Sequence, residues 1–254
     1  MLLLPAMVGV SCWAGDYKKV ENIPFKDGVE KCVLDVSYKP GVKKVPVIVW
    51  FHGGGLTGGE KYTPEELLTD DYVVVSVGYR LYPEVSVAEI IDDAAAAVAW
   101  VDKNISKYGG AVDKIVLTGH SAGGYLVAML ALDKRYLGKY GIDPDKYPLV
   151  APLSGQMMTH FTERESRGIE KTRPVVDSLA PLNLIRPDCP PLLLVTGDRE
   201  QELICRYEEN ALFCALMKHI GHPSVELYEL KGYDHGSMAS PGMTLLMGKI
   251  KDLK

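Results

Sequence analysis

The sequence predicts an α/β sandwich, a mainly parallel sheet with helices packed on both of its faces. Three observations carry this. Strand-length apolar runs recur at residues 45–51, 73–77, 148–153 and 191–196, as suits strands covered on both faces. Stretches of helical composition and spacing, notably 84–107 and 203–219, stand between them. The 254 residues, 47% hydrophobic and 24% charged, suffice for a single domain over residues 15–254 with a sizeable core.

The elements justify themselves in order. Residues 2–10 are apolar, too few to span a bilayer but enough for the core of an export signal. Ser11-Cys12-Trp13-Ala14 then offers small residues for cleavage, and Cys12 is a candidate for lipidation. Residues 1–14 are therefore expected to be the remnant of an export signal, placing the protein in the periplasm, outside the cell or on a lipid anchor. The competing reading is a buried strand and a cytoplasmic protein. In 32–38, Cys32, Leu34, Val36 and Tyr38 alternate with polar residues, which predicts a strand before the turn at Pro40-Gly41. The run at 45–51 leads into a long glycine loop, His52-Gly-Gly-Gly-Leu-Thr-Gly-Gly59.

The helix at 84–107 carries Ile90, Ile91, Ala94, Val98 and Val101 on one face, and Gly109-Gly110 stops it. Next come a short strand, Ile115 to Leu117, then Gly119-His-Ser-Ala-Gly123, then a small-residue apolar helix to Leu132. Residues 154–190 break the rhythm, being charged yet containing Met157, Met158 and Phe161. They read either as a lid-like insertion at the carboxyl edge of the sheet or as a surface excursion. An alternating strand at 225–230 and a helix at 243–253 close the chain.

Composition excludes several functions. A net charge of −5 and no basic run argue against nucleic acid or an anionic membrane as partner. The five cysteines form no C-x-x-C pair and no zinc-spaced cluster with histidine, so no metal site and no cofactor are expected. The G-K-[ST] and G-x-G-x-x-G signatures of phosphate-cradling loops do not follow the glycine run. Nothing in the sequence fixes an oligomeric state.

The chemistry lies elsewhere. Gly119 and Gly123 flank Ser121 at the G-x-S-x-G spacing, which holds a hydroxyl out on a strained strand-to-helix turn. The motif is weak alone, but here it stands between a buried-type strand and a helix, as the mechanism requires. His52-Gly53-Gly54-Gly55 supplies backbone N–H groups able to approach a carbonyl oxygen as it gains charge. The expected donors are Gly54, assisted by Gly53 or Gly55, together with Ala122. Of six histidines only His235 follows the last strand, where a general base belongs in the order serine, acid, histidine. His52 and His120 read as structural, braced against their own turns. The acid should follow the strand at 191–196, where Gly197-Asp-Arg-Glu-Gln-Glu202 offers three carboxylates. Asp198 is the commoner residue type, and Glu200 has the better spacing. Asp234 is expected to point away from the ring.

With these motifs and Gly78-Tyr-Arg-Leu-Tyr-Pro-Glu84, the chain resembles the α/β-hydrolases of the carboxylesterase and hormone-sensitive-lipase type, near small bacterial carbohydrate-ester esterases. The resemblance covers most of the chain from about residue 32 and implies the three-layer α/β-hydrolase sandwich. Its acid commonly sits three residues after the small residue closing its strand, which lands on Glu200. The family usually has Asp there, so Glu200 and Asp198 both stay open. The large N-terminal cap of lipase-like members does not precede the glycine loop, which favours small acyl groups. The resemblance thus implies a serine esterase for small-molecule or carbohydrate esters, acetyl or feruloyl esters of polysaccharides among them. An aryl-formamidase, amidase or peptidase would share the machinery. A non-catalytic binding module would lack the nucleophile or base that this chain has.

Overall fold

A computed structural model describes residues 10–12 and 17–251. In chain order the strands are β1 (Val10–Cys12), β2 (Lys18–Pro24), β3 (Val33–Tyr38), β4 (Val45–Phe51), β5 (Val73–Val77), β6 (Gly110–His120), β7 (Leu149–Leu153), β8 (Leu192–Gly197) and β9 (Val225–Leu230). The helices are α1 (Val87–Asn104), α2 (Ala122–Leu132), α3 (Lys134–Gly138), α4 (Phe161–Ser166), α5 (Arg206–His219) and α6 (Ala239–Ile250).

The strands form one sheet in the order β1-β2-β3-β5-β4-β6-β7-β8-β9. From β5 to β9 every neighbouring pair is parallel, and β1 to β3 add an antiparallel margin. The parallel strands are buried on both faces, so their apolar residues divide by alternation. Val47, Val49 and Phe51 face one layer with Val73, Val75, Ile115 and Leu117, while Ile48, Trp50, Val74 and Val116 face the other. The first layer is closed by α1, α2, α3 and α5, the second by α6 and a single 3-10 turn at Glu65–Leu67. Each fully buried Val, Leu or Ile contributes about 1.5–3 kcal/mol. The sheet with helices on both faces is the fold read from the sequence.

The differences have physical reasons. The first helix begins at Val87 because Ser86 caps it: Ser86 Oγ accepts from the Glu89 amide while the Glu89 carboxylate accepts from the Ser86 amide. The sequence signalled no strand at β2, because a bulge between Val20 and Ile23, with Asn22 at φ 57°, destroys its period of two. Helix α3 is too short for any period to show. Of residues 1–14, read as an export signal, only Val10–Cys12 are described, as an edge strand on β2; the rest of that reading lies outside the described residues. No helix among the described residues is long and apolar enough to cross a membrane.

One topological fact positions the site. The chain leaves β4 for β5 on one side and returns to β6 on the other, so β4 and β6 are neighbours whose following loops diverge. Parallel sheets bind ligands at such a switch point, beyond the carboxyl ends of the strands.

Candidate active site

Phe51 and Gly119 are register partners across β4 and β6, so the glycine loop and the serine turn emerge side by side. Ser121 stands between β6 and α2 with φ 56° and ψ −113°, a conformation that non-glycine residues rarely adopt. Its neighbours explain how the strain is tolerated. A β-carbon at Gly123 would lie 2.0 Å from Phe51 O, and one at Gly119 would lie 2.6 Å from the same oxygen and from Gly123 C. Only glycine fits this crossing, and the Ser121 amide anchors it by donating to Leu153 O at 2.8 Å.

Ser121 Oγ lies 2.9 Å from His235 Nε2. The other ring nitrogen, Nδ1, lies 2.8 Å from Glu202 Oε2. Serine, imidazole and carboxylate therefore form one hydrogen-bonded chain, and its third member is neither of the two carboxylates expected. Asp198 Oδ2 instead accepts from the Gly232 amide at 2.9 Å, and its Oδ1 from Lys231 Nζ at 3.2 Å. The Asp198 amide donates to Tyr233 O at 2.7 Å, so this residue staples the acid loop to the loop carrying His235. Glu200 is exposed at the tip of its turn. The reason is local: Asp198 O accepts from both the Gln201 and Glu202 amides, folding the loop back so that residue 202 re-approaches the sheet. Glutamate's extra methylene supplies the remaining reach. Glu202 was present in the sequence as the third carboxylate of 197–202, and only its place at the end of that stretch set it apart from Glu200.

The Glu202 side chain is fully buried and saturated with donors. Oε1 accepts from Ser154 Oγ at 2.7 Å and the Gly197 amide at 3.0 Å, while Oε2 takes His235 and the Leu203 amide at 2.9 Å. Burial alone would raise its pKa, but the hydrogen bonds from His235, Ser154 and Gly197 outweigh it and bring the group down to about 2. It is a permanent anion beside the imidazole. Ser154, which sequence reasoning also missed, is buried with φ 48°, and its Oγ lies 3.0 Å from His235 Nδ1 as well. The residue is pinned on both sides, its amide donating to Val195 O at 2.7 Å and its carbonyl accepting from Arg206 Nη1.

Two histidines brace this arrangement. His52 Nδ1 donates to Gly53 O at 2.7 Å, and its ring stacks on Tyr79 at 4.2 Å and 6°. Burial holds it below the ordinary imidazole value, so it is a neutral prop for its own loop. His120 differs from expectation: its Nε2 donates to His235 O at 2.8 Å, bracing the loop that carries His235 rather than its own turn. Burial, then the nearby His235, lowers it to about 4, so it is neutral at ordinary pH. Asp234 does point away, its Oδ1 accepting from the Gly236 and Ser237 amides at 3.1 and 2.7 Å.

The glycine loop lies directly over Ser121. A β-carbon at Gly53 would be 3.4 Å from Ser121 Cβ and 3.2 Å from His120 O. Gly54 has φ 114°, and a β-carbon there would meet Gly58 O at 2.1 Å. Among the described residues, the amides of Gly53, Gly54, Gly55 and Ala122 take part in no hydrogen bond. The Gly78-Tyr-Arg motif supports this loop from behind. Tyr79 Oη donates to His52 O at 2.6 Å, the Tyr82 amide to Leu56 O at 2.8 Å, and Arg80 pairs with the buried Asp93 of α1 at 2.6 Å.

Residues 154–190 come against the same loop. Thr162 Oγ1 donates to Gly55 O at 2.5 Å, and a β-carbon at Gly55 would lie 3.0 Å from the Phe161 ring. The segment is anchored to the body: Tyr125 Oη of α2 donates to Leu179 O at 2.8 Å, and Glu209 of α5 accepts from the Met157 and Met158 amides at 3.0 and 2.9 Å.

Known proteins resemble this chain along most of its length. The prolyl oligopeptidase family model matches residues 88–244, and the BD-FAE model matches residues 34–141. Esterase LipQ of Mycobacterium tuberculosis is 24% identical over 247 residues, 85% of this chain and 57% of that protein. Carboxylesterase NlhH of the same species is 37% identical over 118 residues, 44% of this chain and 37% of its own. The chain thus spans little more than half the length of the first of these relatives. Among solved structures, a truncated carbohydrate esterase from gut microbiota superposes with a TM-score of 0.78 at 18% identity, covering 98% of both chains. The butyrate-bound esterase 2 of Thermogutta terrifontis gives 0.71 at 23% identity, over 90% of this chain and 92% of that one. At such identities the superpositions establish the α/β-hydrolase fold.

Proposed function

The chain belongs to the prolyl oligopeptidase family, and from that premise we propose that it is a serine esterase acting on carboxylic esters with small acyl groups. The observation that carries the proposal is the continuous Ser121–His235–Glu202 chain, with contacts of 2.9 and 2.8 Å, at the mouth of the switch point. Ser121 Oγ attacks the ester carbonyl as His235 Nε2 takes its proton. Glu202 holds the ring by Nδ1–H and stabilises the imidazolium that forms. The carbonyl oxygen, now negative, is met by the amides of Gly54 and Ala122, with Gly53 beside them. Gly55, whose carbonyl accepts from Thr162 while its amide stays open, is the alternative assisting donor. The tetrahedral intermediate collapses, His235 returns the proton to the departing alcohol, and the acyl group remains on Ser121. Water, activated in turn by His235, releases the acid.

Two features support a small acyl group on a carbohydrate alcohol. Phe161 and Thr162 pack on the glycine loop at Gly55, where a bulky acyl chain would have to compete with them. The carbohydrate esterase from gut microbiota shares the fold over its whole length. Acetyl and feruloyl esters of polysaccharides are the substrates to test first, and such a substrate accords with export of the protein. The family match favours a second reading, an amidase or peptidase, since the same chain of residues cleaves amides.

The experiment is a paired one. Replacing Ser121 with Ala should abolish hydrolysis of 4-nitrophenyl acetate and labelling by a fluorophosphonate; a variant keeping most of its rate would overturn the assignment. Acetyl-xylan, methyl ferulate and a 4-nitroanilide offered side by side then decide between ester and amide.

A further inference from the structure

Arg164, in α4, is only 4% exposed. Its Nη1 donates to Arg173 O at 2.5 Å, and its Nε has no hydrogen-bond partner among the described residues. No carboxylate among those residues comes within ion-pairing distance of it. The acid whose field reaches it most, Glu209, is engaged by Arg206 Nε at 2.9 Å and by two backbone amides, and Arg206 itself repels it. Burial is the largest influence on this guanidinium and holds it below its ordinary value. Removing a cation from water without a counter-charge is costly, and proteins rarely do so except where an anion is received.

There is room for one. Arg164 lines a cavity of about 40 Å³ with Gln156, Met158, Lys171, Thr172 and Cys205, and with Glu209 on one wall. That space admits a group of a few heavy atoms, comparable to one or two waters. Its walls come from the elements that build the active site. Gln156 and Met158 follow Ser154, Cys205 follows Glu202, and α4 begins at Phe161 against Gly55. Lys171 adds a second positive group at the rim, although it also pairs with Glu165 at 3.3 Å.

We propose that this cavity is a carboxylate site, in which Arg164, with Lys171 at the rim, receives the carboxylate of a small organic acid. Guanidinium is suited to it because its planar fork matches a carboxylate with two parallel hydrogen bonds. Two sources supply that chemistry: an ester substrate that itself carries a carboxylate, or free acid such as acetate. The first deepens the esterase reading and rests on it; the second does not.

The test separates them. Acetate is titrated calorimetrically, at constant ionic strength, into the full chain carrying Ser121→Ala, so the outcome does not depend on turnover. Binding should weaken about tenfold or more on adding Arg164→Gln, less with Arg164→Lys, and measurably with Lys171→Ala, whose exposed side chain puts folding at no risk. Equal affinity in all four proteins, or no binding up to about 100 mM acetate, overturns the proposal. With active enzyme, the ratio of kcat/KM for 4-acetoxybenzoate to that for 4-acetoxybenzamide is then compared. These carry the same acyl group, with and without a carboxylate. A ratio that falls about tenfold in Arg164→Gln and recovers in Arg164→Lys assigns the site to the substrate, whereas an unchanged ratio with weakened acetate binding assigns it to free acid.

Discussion

Changing Glu202 to Gln removes one charge and keeps the shape. The buried carboxylate is held from the usual 4.5 or so down to about 2, a shift that bonds from His235, Ser154 and Gly197 maintain against burial. A unit of pKa is about 1.4 kcal/mol, so this position favours the anion over its neutral form by roughly 3 kcal/mol more than water does. The side chain is fully buried, so solvent screening discounts that little. Part of it is felt by His235, and in the transition state, when the imidazole is charged, its share grows. The variant should therefore lose about 10² to 10⁴ in kcat, as expected when a triad acid becomes an amide that no longer stabilises the imidazolium or enforces its tautomer. KM should change little, because the Glu202 side chain is buried behind the His235 ring. The assay is steady-state hydrolysis of 4-nitrophenyl acetate by wild type, Glu202→Gln, Glu200→Gln and Asp198→Asn. Glu200→Gln should stay within about twofold of wild type, its side chain lying exposed at a turn. If Glu202→Gln kept a tenth of its rate while Glu200→Gln lost two orders of magnitude, the acid assignment here would be wrong.

Other expectations follow from the same geometry. Ser154→Ala removes a donor to Glu202 Oε1 and should lower kcat about tenfold with KM unchanged, as steady-state kinetics would show. Gly123→Ala places a methyl 2.0 Å from Phe51 O, so it should abolish activity and lower Tm by several degrees in a thermal melt. On acidification, His120 at about 4 and Glu202 at about 2 should add no limb of their own to the kcat/KM profile above about pH 5; a two-proton limb there would contradict those positions. For stability the sign is that of a depressed carboxylate. The contribution of Glu202 is complete above about pH 4.5 and disappears as pH falls toward 2, so urea melts of wild type and Glu202→Gln should converge across that window.

Much of this was legible before any coordinates. The runs at 45–51 and 73–77 announced strands buried on both faces, and their side chains do divide between two layers. Ser121, His235 and the glycine loop were legible because each depends on chain order and local geometry. G-x-S-x-G specifies a turn, and a histidine after the last strand has one site to reach. Strand β2 escaped because its bulge hides the alternation.

What the sequence determined by itself was therefore the layer architecture, the serine turn, the histidine after the last strand and the glycine loop above them. These are written in periodicity, in glycines where no β-carbon fits, and in order along the chain. What only the tertiary structure decided was which of three neighbouring carboxylates completes the chain, and that Ser154, some fifty residues earlier, holds it there. Spacing along a strand end cannot resolve that choice. A turn closed by two hydrogen bonds to Asp198 O carries residue 202 back to the sheet, and one methylene sets its reach. Burial of Arg164 without an ion-paired carboxylate was equally invisible, since burial is a property of the packed chain and not of the residue.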